Sequence, residues 1–165
     1  MYVEPHTGRL DSVAAHPLAE LLDCPPETAK LLNRSAEFLP CEPGQIVFAQ
    51  DTECKGLYVV VSGQLIRRSE RMSVHLTLGT VRVGELVELA AALGDGHHTY
   101  TLRAVIPTTL LLLPKPALAQ AFESYPPLRM HLLEELAREV SRAYIATTLH
   151  RKMPQRRHPE QAQSA

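Results

Sequence analysis

The sequence predicts a mainly β domain, a sandwich or roll, with short N-terminal helices before it and one long helix after it. Three observations carry this reading. Between Ser35 and Leu113 apolar residues alternate with polar ones in short runs cut by turn signals. Thirteen prolines and eight glycines are spaced along the chain as turn punctuation. From Pro127 the spacing changes to a heptad-like series of apolar residues.

The 165 residues are one domain's length and can bury a core without disulfides. Residues 1–15 read as a flexible N-terminus, 16–151 as the folded domain and 152–165 as a disordered polar tail. His16–Leu22 predicts one or two helical turns with Pro17 near the start, and Pro26–Asn33 a second short helix. Ala36, Phe38 and Pro40 then alternate with polar neighbours, and Glu42-Pro43-Gly44 signals a turn. Gln45–Ala49 is a strand. Leu57–Ser62 (LYVVVS) is β-branched enough to be a strand covered on both faces. Ser62-Gly63 turns the chain into a strand over Gln64–Ser69. Val74–Leu78 alternates cleanly until Gly79 breaks it. Tyr100–Val105 and Thr109–Leu113 are the last two strands. A short helix over Pro116–Phe122 precedes the long helix 127–151, for which Pro127 suits the first position.

Bulk composition excludes several classes of function. With 17 basic and 18 acidic residues the net charge is −1, so nothing draws the chain globally to nucleic acid. The three cysteines, 24, 41 and 54, are odd in number and form no CxxC pair, against a disulfide framework or a zinc knuckle. The start MYVEPHTGRLDS lacks a basic-then-apolar leader, and the longest apolar run is far too short to span a bilayer. These features imply a cytoplasmic protein with no membrane partner. No G-x-S-x-G, Walker A or H-E-x-x-H motif occurs, and the adjacent His97 and His98 do not make the H-x-H of a cupin metal site, so no enzyme is expected.

The stretch Gly84–Ala104 (GELVELAAALGDGHHTYTLRA) organises the rest. A short helix between two strands exposes N–H groups that can take an anion. Around it, Gly44-Gln-Ile-Val-Phe48, then Cys54-Lys-Gly-Leu-Tyr-Val-Val-Val-Ser-Gly63-Gln-Leu65, then Gly84-Glu85-Leu86 and the closing helix resemble the cyclic-nucleotide-binding effector domain. The version most resembled is that of the catabolite-activator and fumarate/nitrate-regulator (Crp/Fnr) superfamily of bacterial transcription regulators. The resemblance covers roughly residues 16 to 150. It implies an eight-stranded antiparallel β-roll (a jelly roll, or double-stranded β-helix), a phosphate-binding cassette, and a long C-terminal dimerisation helix.

In that family the cassette reads approximately F-G-E-x-A-L, a short spacer, then P-R-x-A. The Glu takes the ribose, helix N–H groups take the phosphate, and the Arg pairs with its charge. Here Val83, Gly84, Glu85 and Leu86 match the first part. Glu88 stands where a small or apolar residue is usual, and His98, or His97 if the gap is placed differently, stands nearest the Arg, with Thr99 as the small polar residue after it. By this resemblance the candidate ligand-binding residues are Gly84, Glu85, Leu86, His98 and Thr99. The ligand would be a cyclic nucleotide or another small anion. Replacing a charge-assisted Arg contact with a neutral His loses on the order of 1–2 kcal/mol, roughly tenfold in affinity. A normal cyclic AMP site is therefore not expected. Arg103 alternates with Leu102 and Ala104 and points elsewhere.

Several residues carry two readings. Glu85 holds a ribose or caps its own turn. His97 and His98 are solvated loop residues, ligand contacts, or a metal or haem pair. His75, on an alternating strand, reads as structural. The cysteine spacings do not suit an iron–sulfur cluster, and the three read as plain thiols. Arg67, Arg68 and Arg71 read as a solvated face. Leu133, Leu136, Val140, Ala143, Thr147 and His150 form a seam, widened by Leu128, Leu132 and Tyr144, that suits a homodimer. The polar tail offers nothing to enter a major groove, so no direct DNA binding is expected. The functional expectation is a stand-alone small-molecule sensor without a helix-turn-helix. The alternatives are a ligand-free dimerisation module acting on a full-length regulator, and a haem or metal sensor.

Overall fold

The computed structural model describes residues 11–71 and 74–152. Two helices, α1 (Asp11–Leu22) and α2 (Pro26–Ser35), precede eight strands. These are β1 (Glu37–Cys41), β2 (Ile46–Phe48), β3 (Gly56–Ser62), β4 (Gln64–Arg71), β5 (Val74–Arg82), β6 (Leu86–Val87), β7 (Thr101–Ala104) and β8 (Thr108–Pro114). The five-residue helix α3 (Leu89–Leu93) lies between β6 and β7. After β8 come α4 (Lys115–Ser124) and the 26-residue α5 (Pro127–Lys152).

The strands form two four-stranded antiparallel sheets, ordered β1-β8-β3-β6 and β2-β7-β4-β5. This is the antiparallel β-roll expected from the sequence, with its long C-terminal helix. The alternation of the two central strands of the first sheet explains their apolar composition. Leu57, Val59, Leu111 and Leu113 face a layer of helices that contributes Leu18, Leu22, Leu32, Leu118, Leu128 and Leu132. Tyr58, Val60, Leu110 and Leu112 face the second sheet, against Phe48, Leu65, Val81 and Leu102. A strand buried on both faces reads as a nearly continuous apolar run, and the one buried polar side chain of β8, Thr108, at its start, is hydrogen-bonded to backbone.

The structure departs from the sequence reading in three places. α1 begins at Asp11, so residues 11–15 are helical rather than loose, and Pro17 lies inside the helix rather than near its start. A proline there removes one intrahelical hydrogen bond without ending the helix. β5 runs through Gly79 instead of stopping at it. The register shifts opposite Arg67 and Arg68, and Gly79 takes φ 144, so the glycine serves an irregularity within the strand. The leucine seam of α5 divides. Leu128 and Leu132 are buried in the core and Leu136 packs against it, whereas Leu133, Val140 and Tyr144 remain exposed. Residues 1–10, the tail from 153 onward, and the side chains of Arg71, His75, Thr147 and His150 lie outside the described residues.

Candidate functional site

The segment after β5 is anchored residue by residue. Gly84, at φ 85, donates its N–H to the Val60 carbonyl at 2.9 Å, and Leu86 and Val87 pair with Val59 and Tyr58 of β3. The Glu85 N–H donates to the Arg82 carbonyl at 3.1 Å, and its Oε2 accepts the Arg82 N–H at 3.1 Å. The Glu85 carboxylate thus closes its own turn.

Glu88 then takes the left-handed conformation, φ 71, immediately before α3. For a residue other than glycine this costs on the order of 1–3 kcal/mol, so its surroundings must hold it there. Its side chain is 1% exposed, and Oε2 lies 2.8 Å from Nδ1 of His98, also 1% exposed. The other carboxylate oxygen accepts a hydrogen bond from Thr99 Oγ1 at 3.2 Å. His98 stacks on Phe48 with centroids 3.7 Å apart and planes within 5°. Its backbone is clamped to the loop after β2: the His98 N–H donates to the Thr52 carbonyl, and the Asp51 N–H donates to the His98 carbonyl, both at 2.8 Å. Nearby, the Cys54 thiol donates to the Gly56 carbonyl at 3.1 Å. Burial pushes this thiol above its ordinary pKa, with the Glu88 carboxylate adding to the effect. Burial likewise pushes the Tyr58 phenol up to about 12, with Cys54 and Glu88 contributing. Sulfur, carboxylate and imidazole atoms of Cys54, Glu88 and His98 lie within 4.8 Å of one another.

A separate cavity of about 710 Å³ opens between the turn at Gly84–Leu86, the end of α1 and the first half of α5. Five carboxylates line it, from Asp23, Glu85, Glu134, Glu135 and Glu139, against three arginines, 67, 138 and 142. Each arginine already faces a carboxylate: Arg67 and Glu139 at 3.4 Å, Arg138 and Glu135 at 2.9 Å, Arg142 and Glu135 at 3.9 Å. Arg67 also lies over the Tyr100 ring, with Cζ 5.5 Å from its centroid. Desolvation raises the Glu139 carboxyl above its ordinary pKa, against the lowering effect of Arg67.

The five residues expected to share a site are therefore divided between two places. Gly84, Glu85 and Leu86 line the cavity, whereas His98 and Thr99 turn to Glu88 and do not. His98 is not a solvated loop residue, because a stacked ring and a buried carboxylate enclose it. Its neighbour His97 is exposed and bonded locally to Asp95, so the two histidines do not act as a pair. Arg67 is not simply a solvated surface charge, since it reaches Glu139 and Tyr100. Arg103 does not line the cavity, as the strand alternation predicts. Glu88 is the residue whose role sequence reasoning missed. An acidic residue between Val87 and Leu89 in an apolar run has to be paired if it is buried, and that was its signal.

The family model described as "Cyclic nucleotide-binding domain" matches residues 38–125. No curated protein matches the chain significantly. Among solved structures, the cyclic nucleotide-binding domain from Methylobacillus flagellatus superposes with a TM-score of 0.74 at 15% identity, covering 91% of this chain and 90% of that one. The sensor domain of the transcriptional regulator DNR from Pseudomonas aeruginosa gives 0.66 at 20% identity, covering 79% and 87%. The Thermus thermophilus catabolite activator protein gives 0.66 at 24% identity, covering 81% of this chain and 62% of that one. At these identities the likeness is one of fold.

Proposed function

This chain belongs to the cyclic nucleotide-binding domain family, and from that premise we propose that it is a regulatory module that does not respond to cyclic AMP in the ordinary way. One observation carries the reading: Glu88 Oε2 lies 2.8 Å from His98 Nδ1, with both side chains buried. By resemblance His98 stands where the family places the arginine that pairs with the phosphate. The chain's own carboxylate occupies the partner that a phosphodiester would need. A permanent anion entering there would have to displace Glu88 and leave it buried beside a second negative charge. The cavity beyond it holds each of its lining arginines, among the described residues, within 3.9 Å of a carboxylate, and its carboxylates outnumber its arginines five to three. It suits a neutral or cationic small molecule better than a nucleotide. Titration calorimetry with cyclic AMP and cyclic GMP tests the reading, which expects no saturable binding at micromolar concentration.

Dimerisation through α5 is the second part of the proposal. Met130, Leu133, Val140 and Tyr144 recur along the helix at spacings of three, seven and four residues and are all exposed. Exposed apolar residues at such spacings form a stripe that a second copy of the same helix can cover. A dimer would carry a change in the cavity, which α5 lines, to whatever the module regulates.

A further inference from the structure

Three side chains with metal-ligating chemistry meet inside the roll. Cys54 comes from the loop before β3, Glu88 from the strained position before α3, and His98 from the loop before β7. Their relative exposures are 1%, 4% and 2%, and their donor atoms lie within 4.8 Å of one another. The backbone fixes the three segments. The Cys54 N–H donates to the Gly96 carbonyl at 2.7 Å, His98 is held on both sides by Asp51 and Thr52, and Glu53 and His97 form a β-bridge. Phe48 stacks flat on the imidazole, which sets the ring plane, and Tyr58 stands on the same wall.

We propose that Cys54, Glu88 and His98 bind a thiophilic divalent cation of the zinc class, through sulfur, one carboxylate oxygen and a ring nitrogen. A mixed thiolate, imidazole and carboxylate set selects zinc-like ions over magnesium or calcium, which take oxygen ligands. Tetrahedral zinc, at about 2.0–2.3 Å from its donors, holds them roughly 3.3–3.8 Å apart. The Glu88–His98 pair must open from 2.8 Å to admit the ion, and the Cys54 sulfur turns to it from its thiol bond with the Gly56 carbonyl. The Cys54 S–H bond gives its proton to the buffer as the sulfur–metal bond forms. The resulting thiolate and the Glu88 carboxylate together neutralise a doubly charged ion. The metal takes the place of the Glu88–His98 hydrogen bond, so the same residues that disfavour a nucleotide phosphate accept a cation. The inference stands on this cluster alone, and a positive cyclic AMP titration would leave it intact.

The test is cobalt(II) and zinc(II) titration of the chelator-stripped full chain. The expected result is one equivalent of cobalt(II) bound, with a thiolate-to-cobalt charge-transfer band that zinc(II) abolishes. Cys54→Ser should lose the band and weaken zinc binding by more than roughly tenfold. Cys24→Ala and Cys41→Ala should leave both unchanged. Absence of a charge-transfer band in the wild-type chain would overturn the proposal without reference to any variant. So would an unchanged band in Cys54→Ser.

Discussion

Glu88 and His98 are ten residues apart in sequence, yet they meet 2.8 Å apart in the interior, each side chain 1% exposed. The contact joins the residue before α3 to the loop before β7. It holds a non-glycine residue in the left-handed region and sets the imidazole against Phe48. Removing one partner strands the other, whereas replacing both with apolar groups strands neither.

Glu88→Ala and His98→Ala should each destabilise the fold by about 1–3 kcal/mol or more, the cost of leaving half of a buried hydrogen-bonded pair unsatisfied. The double variant Glu88→Met/His98→Phe should be far less destabilised than the sum of the single losses. Chemical denaturation of the set checks this. Additive losses would mean that the two residues do not act as a unit.

Much of the fold was legible in the sequence because its signals are local and repeated. LYVVVS reads as a strand covered on both faces, and the structure places Leu57 to Val60 alternately in two cores while Val61 and Ser62 at its end are exposed. The long helix was marked by Pro127 and its apolar spacing. The candidate site was less legible, because its contacts cross the chain. Nothing local says that His98 stacks on Phe48, fifty residues earlier, or that Cys54 lies beside Glu88. The division of the α5 seam was hidden for the same reason. Leu132 and Leu133 are alike in sequence, and only the position of the roll buries one and exposes the other.

Gly56 pairs with Pro114 across the first sheet, and a Cβ at that position would run into the Leu113 carbonyl oxygen. Gly56→Ala should therefore destabilise the protein by about 2 kcal/mol or more, since the obstacle is central-strand backbone that cannot give way. Thermal denaturation reads this directly. Gly44→Ala is the control: its Cβ meets nothing, and only its φ of 83 opposes the change, so its effect should be smaller.

Glu139 has a raised pKa, chiefly through desolvation, so the folded state binds its proton more tightly than the unfolded chain does. Its contribution to stability is fully present below the unfolded pKa and is lost as pH rises through the raised folded value. Glu139→Gln removes that loss. Relative to wild type, the variant should gain stability between about pH 4 and about pH 7. Denaturant midpoints at the two pH values test the sign, and a gap that closes or reverses on raising the pH would contradict it.

The exposed stripe on α5 should support a dimer. Light scattering after size exclusion should find two copies in the wild type and one in Val140→Glu/Tyr144→Glu. Both substituted residues lie well outside the core, with exposures of 59% and 72%, so the variant should still fold. A wild-type monomer independent of concentration would remove the dimer.

The central claim is that Glu88 has taken the place of a nucleotide phosphate. Calorimetric titration of cyclic AMP into the wild type, beside Glu88→Ala/His98→Arg, tests it most directly. The double change removes the internal carboxylate and supplies a charge-assisted donor, worth roughly tenfold or more in affinity for the anion. The account predicts no saturable heat from the wild type at micromolar ligand and measurable binding by the double variant. Micromolar binding of cyclic AMP by the wild-type chain would contradict it.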